Sequence, residues 1–320
     1  MWIWLDGSDS RIPPSTQHLR GTPIDTIPGT CDSYAITLHW LAGILEGEGS
    51  FLAGPPSAPR CPAIRLPMTD RDTIVRVGEL FRRAVVATRP RKAHHKVAYV
   101  TTIKGVPAAR MMRALAPLMS ARRRTQIERA LCDRGPRIGG RTRRSNRAAE
   151  ELITDGAELS WEAANADARI AWLAGVLEGE GSFVSARFGR YCYPRVQMTM
   201  CDRFVLERAM TLMPGSHIYA VSDKRGAERG WSDSWIVLVN GLPAAEVMRS
   251  VLPWMGSRRT MAIDRSLSAW HPIRVAAPRS SCIVPGCWRR HAARGLCNAH
   301  YMSWSRDRAK GRTPRVTPLR

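Results

Sequence analysis

The sequence predicts an α+β protein built from two related halves that meet through a repeated helix, followed by a small cysteine-rich module. Three observations predict it. A twelve-residue block, Trp40-Leu-Ala-Gly-Ile-Leu-Glu-Gly-Glu-Gly-Ser-Phe51, recurs as Trp172-Leu-Ala-Gly-Val-Leu-Glu-Gly-Glu-Gly-Ser-Phe183, with only Ile44 exchanged for Val176. Strand-period and helix-period segments follow both copies in the same order. The last part of the chain gathers Cys282, Cys287 and Cys297 beside His300.

A repeat separated by the length of a domain marks two copies of one domain rather than a solenoid. As a helix, each block places Gly43 and Gly47, or Gly175 and Gly179, on one face, flanked in the first copy by Leu41, Ile44 and Leu45. Glycine costs up to about 1 kcal/mol at a helix-interior position, so the pair needs compensation. Close backbone approach supplies it, because small residues four apart let two helices pack with almost no side chain between them. The natural partner is the other copy. Glu48 and Glu180 then end the two helices at one edge of the interface, where like charge and the negative helix ends both oppose ionisation. An oxygen-preferring divalent cation, most suitably Mg²⁺, relieves this and can bind phosphate and activate water.

The remaining elements follow in order. Residues 1–33 are rich in Pro, Ser, Thr, Gly and Asp and read as a flexible tail, with Asp32 and Ser33 as caps of the first motif helix. Alternation through Ile64, Leu66 and Met68, and through Val196, Met198 and Met200, predicts a half-buried strand in each copy. Helices are expected through Ile74, Val75, Val77, Leu80 and Phe81, and through Val205, Leu206, Ala209 and Met213. Hairpins follow over about 91–103 and 216–240, with Trp231 and Trp235 in the second. Helices then begin near Pro107 and Pro243 and stop near Pro117 and Pro253. A last basic helix starts at Arg122-Arg123 and at Arg258-Arg259.

The repeated block resembles the LAGLIDADG homing endonuclease motif, in a variant written with glutamates. The likeness continues beyond the block: Arg65-Leu-Pro-Met-Thr69 corresponds to Arg195-Val-Gln-Met-Thr199, and Gly105–Leu131 matches Gly241–Leu267 without a gap. The resemblance implies two pseudosymmetric αββαββα domains packed through their motif helices, in agreement with the element order. It assigns the metal-binding acids to Glu48 and Glu180, and implies a staggered double-strand cut with short 3′ overhangs. In the family a basic residue just after the proline-marked helix lies near the water and phosphate. That position falls on Arg122 and Arg258, with Arg123 and Arg259 as neighbours. Arginine stays charged, so it would stabilise charge rather than act as a base. Gln197 lies where a polar residue supports the metal site in relatives, and its match in the first half is Pro67, which leaves the two strands open to unequal cleavage.

Domain boundaries on this reading are 34–132 and 169–272 for the two LAGLIDADG domains, 133–168 and 273–281 for linkers, 282–304 for the module and 305–320 for a basic tail. The outer sheet faces, with Arg65, Arg195 and Gln197, and the hairpin residues His94, Lys96 and Lys224, form the expected DNA platform.

The spacing Cys282-x4-Cys287-x9-Cys297-x2-His300, with Gly286 and Gly295 beside ligands, suits tetrahedral Zn²⁺. His291 is an alternative fourth ligand. The segment resembles small zinc-binding modules attached to phage and intron endonucleases. It is too short for a core of its own, so metal would supply its folding energy, and a closed four-ligand site makes the zinc structural. Trp288, Tyr301, Trp304, Arg289, Arg290, Arg294 and Arg306 make it an accessory DNA contact.

Composition narrows the function classes. A formal charge of +22 on 320 residues, 44 of its 49 basic residues being arginine, calls for a polyanionic partner. No apolar run is long enough to span a membrane, and Met1–Leu5 is too short an apolar opening for a signal peptide. Cys31, Cys61, Cys132, Cys192 and Cys201 show no framework spacing, which fits a reducing, intracellular compartment. Double-stranded DNA is the expected partner of a monomeric internal pseudodimer. The alternative is a non-cleaving relative, an intron maturase that binds RNA or a regulator. Retention of both Glu48 and Glu180 favours the enzyme, an HNH nuclease would need a separate His-Asn-His constellation, and an intein would end in His-Asn.

Overall fold

The computed structural model describes residues 31–88, 96–132, 159–189, 191–221, 233–270 and 281–318. The chain divides into two compact units, Met1–Ala269 and Trp270–Arg320. The first holds both repeats. Its first half runs α1 (Cys31–Glu48), β1 (Ser50–Leu52), β2 (Ala63–Met68), α2 (Arg71–Phe81), β3 (Val86–Thr88), β4 (Ala98–Lys104), α3 (Val106–Leu115) and α4 (Ala121–Cys132). The second repeats that order as α5 (Ala166–Glu180), β5 (Gly181–Phe188), β6 (Tyr191–Met200), α6 (Arg203–Thr211), β7 (His217–Val221), β8 (Ser234–Asn240), α7 (Gly241–Val251) and α8 (Ser257–Ser268). Each half carries one antiparallel four-stranded sheet, ordered β1-β2-β4-β3 and β5-β6-β8-β7. The fold is the α+β architecture of two halves with a repeated αββαββα order that the sequence led us to expect.

The motif helices α1 and α5 form the centre of this unit. Trp40, Leu41, Ile44 and Leu45 are buried, as are Trp172, Leu173, Val176 and Leu177, so each helix is apolar all round and lies inside the core. Gly43 and Gly175 face one another. A Cβ on Gly43 would strike the Trp172 carbonyl and come within 2.8 Å of the Val176 nitrogen; one on Gly175 would meet the Trp40 carbonyl and the Ile44 nitrogen identically. The two backbones therefore touch where a side chain would hold them apart, which accounts for the glycines.

The sheets pack their apolar faces on these helices. Ile64, Leu66 and Met68 from β2, and Val196, Met198 and Met200 from β6, point into one continuous core with Ile74, Val77 and Phe81 of α2 and Val205, Leu206 and Ala209 of α6. Proline enters α3 at its second position and α7 at its third, within the first turn, where the missing N–H costs no helical hydrogen bond. Pro117 and Pro253 lie in short 3₁₀ turns after these helices.

Several boundaries differ from expectation. Helix α1 already begins at Cys31, so Asp32 and Ser33 lie in its first turn rather than at its cap. Helix α5 begins at Ala166, and Asn165 caps it by accepting a hydrogen bond from the Ala168 N–H at 2.8 Å. Trp161, expected in a linker, packs edge-on to Trp172 with ring centroids 5.1 Å apart. No helix of the described residues is long and apolar enough to cross a membrane.

The second unit has its own small core of Cys282, Leu296 and Cys297, with Tyr301, Trp304 and Val316 packed against it. Helix α9 (Asn298–Ala309) runs past residue 304, where the module was expected to end. Gly286 and Gly295 both have positive φ, at 75° and 79°, as the tight turns beside Cys287 and Cys297 require.

Candidate active site and metal centre

The C-terminal ends of α1 and α5 bring Glu48 and Glu180 together. Each carboxylate crosses to the glycine of the other helix: a Cβ on Gly179 would lie 3.2 Å from the Glu48 Cγ, and one on Gly47 would lie 2.9 Å from the Glu180 Cγ. The second glycine of each block thus leaves room for the opposite acid. No described residue donates a hydrogen bond to either carboxylate. Burial raises the proton affinity of both, and at Glu48 the neighbouring Glu180 raises it further, against the lowering fields of Arg259 and Arg123. At Glu180 burial is opposed by Arg123, Arg259 and Arg122.

Two buried arginines hold the helix ends in place. Arg123 donates to the carbonyls of Glu46, Gly47 and Gly49 at 2.6 to 3.0 Å, and Arg259 donates to those of Glu178 and Gly179 at 3.0 to 3.2 Å. Terminal carbonyls of a helix lack intrahelical donors, and a guanidinium there also offsets the negative end of the dipole. These residues were expected only as neighbours of the phosphate-facing arginines; their fork is turned inward instead.

Glu46 and Glu178 are buried acids beside the site that the sequence reading missed. Both are 1% exposed, and burial is the leading cause that raises their proton affinity. Glu46 accepts the Ser120 N–H and, at 3.1 Å, its hydroxyl. Glu178 accepts the Gly256 N–H at 2.8 Å and the Thr73 hydroxyl at 3.2 Å. Each acid therefore caps the N-terminus of the basic helix of its own half, α4 or α8. The two halves obtain the hydroxyl differently, from Ser120 on one side and from the opposite half on the other. A Cβ on Gly256 would come within 2.5 Å of the Thr73 hydroxyl, so the space a serine would need is taken. The signal available in the sequence was the first acid of Glu-Gly-Glu-Gly.

Arg122 and Arg258 occupy equivalent places at the starts of α4 and α8, and both are half exposed. Each reaches across the interface to the aspartate that precedes the second helix of the other half. Arg258 holds Asp70 through two bonds, Nε to Oδ1 at 2.7 Å and Nη2 to Oδ2 at 2.6 Å. Arg122 approaches Asp202 through one contact of 3.6 Å.

The sheet register corrects the pairing of halves made from residue identity. Arg65 lies opposite Ser50 and Thr102, whereas Gln197 lies opposite Ser182 and Leu238. Ser50 and Ser182 are the same motif residue, so the counterpart of Gln197 is Arg65, and Pro67 matches Thr199. Both halves therefore carry a polar side chain at this position, one cationic and one neutral. The absence of a donor at Pro67 explains nothing.

On the outer faces, Arg65 is exposed, while Arg195 donates to the Asn240 side chain at 2.8 Å and lies 3.3 Å from the Tyr193 hydroxyl. Lys96 is exposed just before β4, and the exposed Lys104, which the sequence reading passed over, pairs with Ala63 two residues along the strand from Arg65. His94, Lys224 and Trp231 lie outside the described residues.

In the second unit the ligand atoms of Cys282, Cys287, Cys297 and His300 all lie within 4.8 Å of one another. The His300 Nδ1 is 3.3 Å from the Cys282 Sγ and 3.5 Å from the Cys297 Sγ, and the Cys287 and Cys297 sulfurs are 3.9 Å apart. Tetrahedral zinc, with Zn–S of about 2.3 Å and Zn–N of about 2.0 Å, gives edges of about 3.5 to 3.8 Å. The donor set and its spacing fit that ion. His291 accepts the Gly295 N–H at 2.9 Å and so braces the turn instead of joining the ligands. Trp288 is 91% exposed beside the exposed Arg289 and Arg290.

No protein-family model matches the chain. No curated protein matches it. Among solved structures it is similar to the LAGLIDADG homing endonuclease I-GzeII in complex with its DNA target, at a TM-score of 0.42 and 13% identity over 72% of this chain and 89% of that one. It is also similar to I-LtrWI bound to target DNA, at a TM-score of 0.42 and 11% identity over 73% and 92% of the two chains. A third is I-SmaMI on uncleaved DNA with calcium, at a TM-score of 0.40 and 13% identity over 71% and 88%.

Proposed function

We propose that this chain is a site-specific double-strand DNA endonuclease of the homing type, acting as a monomer whose two halves do the work of two subunits. The reciprocal seating of Glu48 over Gly179 and Glu180 over Gly47 carries the reading. It concentrates two carboxylates at the point where both motif helices run into their sheets, in spite of the repulsion between them. A protein that only binds DNA gains nothing from that arrangement.

Phosphodiester hydrolysis needs a positioned water, neutralised phosphate charge and a stabilised leaving oxygen. Two facing oxygen donors without a protein donor suit Mg²⁺, which when bound supplies Lewis acidity and water activation. Around Glu48 and Glu180, Arg123 and Arg259 fix the backbone that carries the acids. Arg122 and Arg258 offer permanent positive charge to the phosphate. Arg65 and Gln197, one strand from the motif serines, orient the polar groups around the site. Arg65, Arg195, Lys96 and Lys104, with the hairpin residues His94 and Lys224, contact the duplex, and the net charge of +22 favours its approach. Zn²⁺ on Cys282, Cys287, Cys297 and His300 holds the second unit together, and Trp288, Arg289 and Arg290 add DNA contact. A DNA substrate places the reaction inside the cell.

The test is incubation with a randomised duplex library and Mg²⁺, followed by sequencing of the ends. One recurrent site with short 3′ overhangs is the expected result. Retention of a recurrent site without cutting would identify the non-cleaving alternative.

A further inference from the structure

The arginines assigned to the phosphate are not equally free. The Arg258 guanidinium gives two of its donors to Asp70, at 2.7 and 2.6 Å, in the two-point geometry that makes arginine–carboxylate pairs strong. At the equivalent place the Arg122 Nε stands 3.6 Å from Asp202, and the Asp202 Oδ2 is buried with no hydrogen-bond partner among the described residues. The flanking chemistry differs in the same sense. Asp72 accepts the backbone N–H and hydroxyl of Ser257, the residue before Arg258, at 2.5 and 2.7 Å. The matching residue beside Asp202 is Phe204, which cannot accept a hydrogen bond. One crossing is therefore closed by four hydrogen bonds onto the cap and first turn of α2, while the other rests on a single long contact.

We propose that Asp70 and Asp202 are positioning residues that set the order of strand cleavage, with a closed latch on Arg258 and an open one on Arg122. A guanidinium must present its fork to a phosphate, and a fork engaged by Asp70 has to exchange a carboxylate for the phosphate first. Arg122 makes no such exchange. The strand served by Arg122 is cut first, and nicked duplex accumulates before the second cut. This rests on the nuclease reading above.

The experiment follows each strand of the cleavage site separately, with end labels of two colours, in the full-length protein with Mg²⁺. Arg122→Ala identifies the strand that Arg122 serves, because that strand is slowed selectively. It should be the strand the unaltered protein cuts first. Asp70→Asn, which keeps the shape of the side chain but removes its charge, should speed the other strand about three- to tenfold, the effect of releasing a well-formed but half-exposed ion pair. Asp202→Asn should change the strand ratio less than about twofold, since its contact is already long. Duplexes already nicked in one strand read each cut alone, and a melting curve for each variant separates loss of fold from loss of rate. An unchanged strand ratio in Asp70→Asn, or a slower second cut in that folded variant, overturns the latch while leaving the nuclease reading intact. If the unaltered chain cuts neither strand of any library member, the nuclease reading fails and the latch falls with it.

Discussion

Gly43→Ala tests the close approach on which the whole arrangement depends. The added methyl would meet the Trp172 carbonyl, the Val176 nitrogen at 2.8 Å and the Gly175 Cα at 3.0 Å, and all three are backbone atoms that no rotamer change can move aside. Overpacking of this kind costs about 1–3 kcal/mol, and rigid neighbours put the cost at the upper end. Alanine returns up to about 1 kcal/mol through its better helix propensity. The net destabilisation is therefore about 2 kcal/mol, roughly a thirtyfold change in the unfolding equilibrium and about 4–8 °C in melting temperature for a unit of this size. Gly179→Ala provides the contrast, because its methyl meets only the flexible Glu48 Cγ at 3.2 Å. It should leave stability within about 0.5 kcal/mol, the range of a tolerated substitution, yet displace a carboxylate and lower cleavage. Urea denaturation followed by the fluorescence of the buried Trp40 and Trp172 measures both. A Gly43→Ala protein as stable as the unaltered one would refute the reasoning, since the glycine would then have no packing role.

Further outcomes follow from the two proposed metal sites and the surface charge. Glu48→Gln and Glu180→Gln should each abolish double-strand cleavage while DNA binding survives, and full cutting by both variants in a plasmid assay would rule out the paired-carboxylate mechanism. Burial, and at Glu48 also Glu180, hold the folded proton affinities above the ordinary carboxylate range, so the native state binds these protons more tightly than the unfolded chain does. Their contribution to stability is present below the unfolded value of about 4.3 and is lost as pH rises through the raised folded value. Glu48→Gln should therefore melt higher than the unaltered protein at pH 7, with the gap closing toward pH 4. Cys282→Ser should lose about one bound Zn²⁺, measured by elemental analysis, and unfold the second unit while the first keeps its melting transition. Affinity for duplex DNA should fall with a log-log salt slope near −0.9 for each of about six to ten neutralised phosphates, and a flat titration would remove the basic surface from the interface.

The helix pairing was legible because glycines four apart have few other uses in a helix, and the strands because period-two burial leaves a plain trace in Ile64, Leu66 and Met68. Register was not. Matching Arg65 to Arg195 displaces the strand by two residues, which keeps every side chain on its proper face, so only the hydrogen-bonded partners Ser50 and Thr102 show the shift. Adjacent basic residues posed a similar difficulty. Arg122 and Arg123 sit about 100° apart around a helix, and tertiary packing decides which guanidinium turns inward. Glu46 was illegible because its partner Ser120 lies 74 residues away. The cluster of Cys282, Cys287, Cys297 and His300, confined to a short stretch with turn glycines beside it, needed no such long-range information.

The shared cap at Gly256 binds the histories of the two halves. One copy dispenses with a serine because the other places Thr73 in the vacated space, and Glu178 accepts its hydroxyl in place of the missing one. A mutation of Thr73 to an apolar residue thus damages a helix in the opposite half, and introducing serine at 256 creates a clash unless Thr73 changes as well. The duplicated segments can no longer be exchanged or replaced by one another, despite motif blocks that differ at a single residue. Placing the serine of the first copy at 256 would set it against Thr73, and placing the glycine of the second at 120 would leave Glu46 without its hydroxyl.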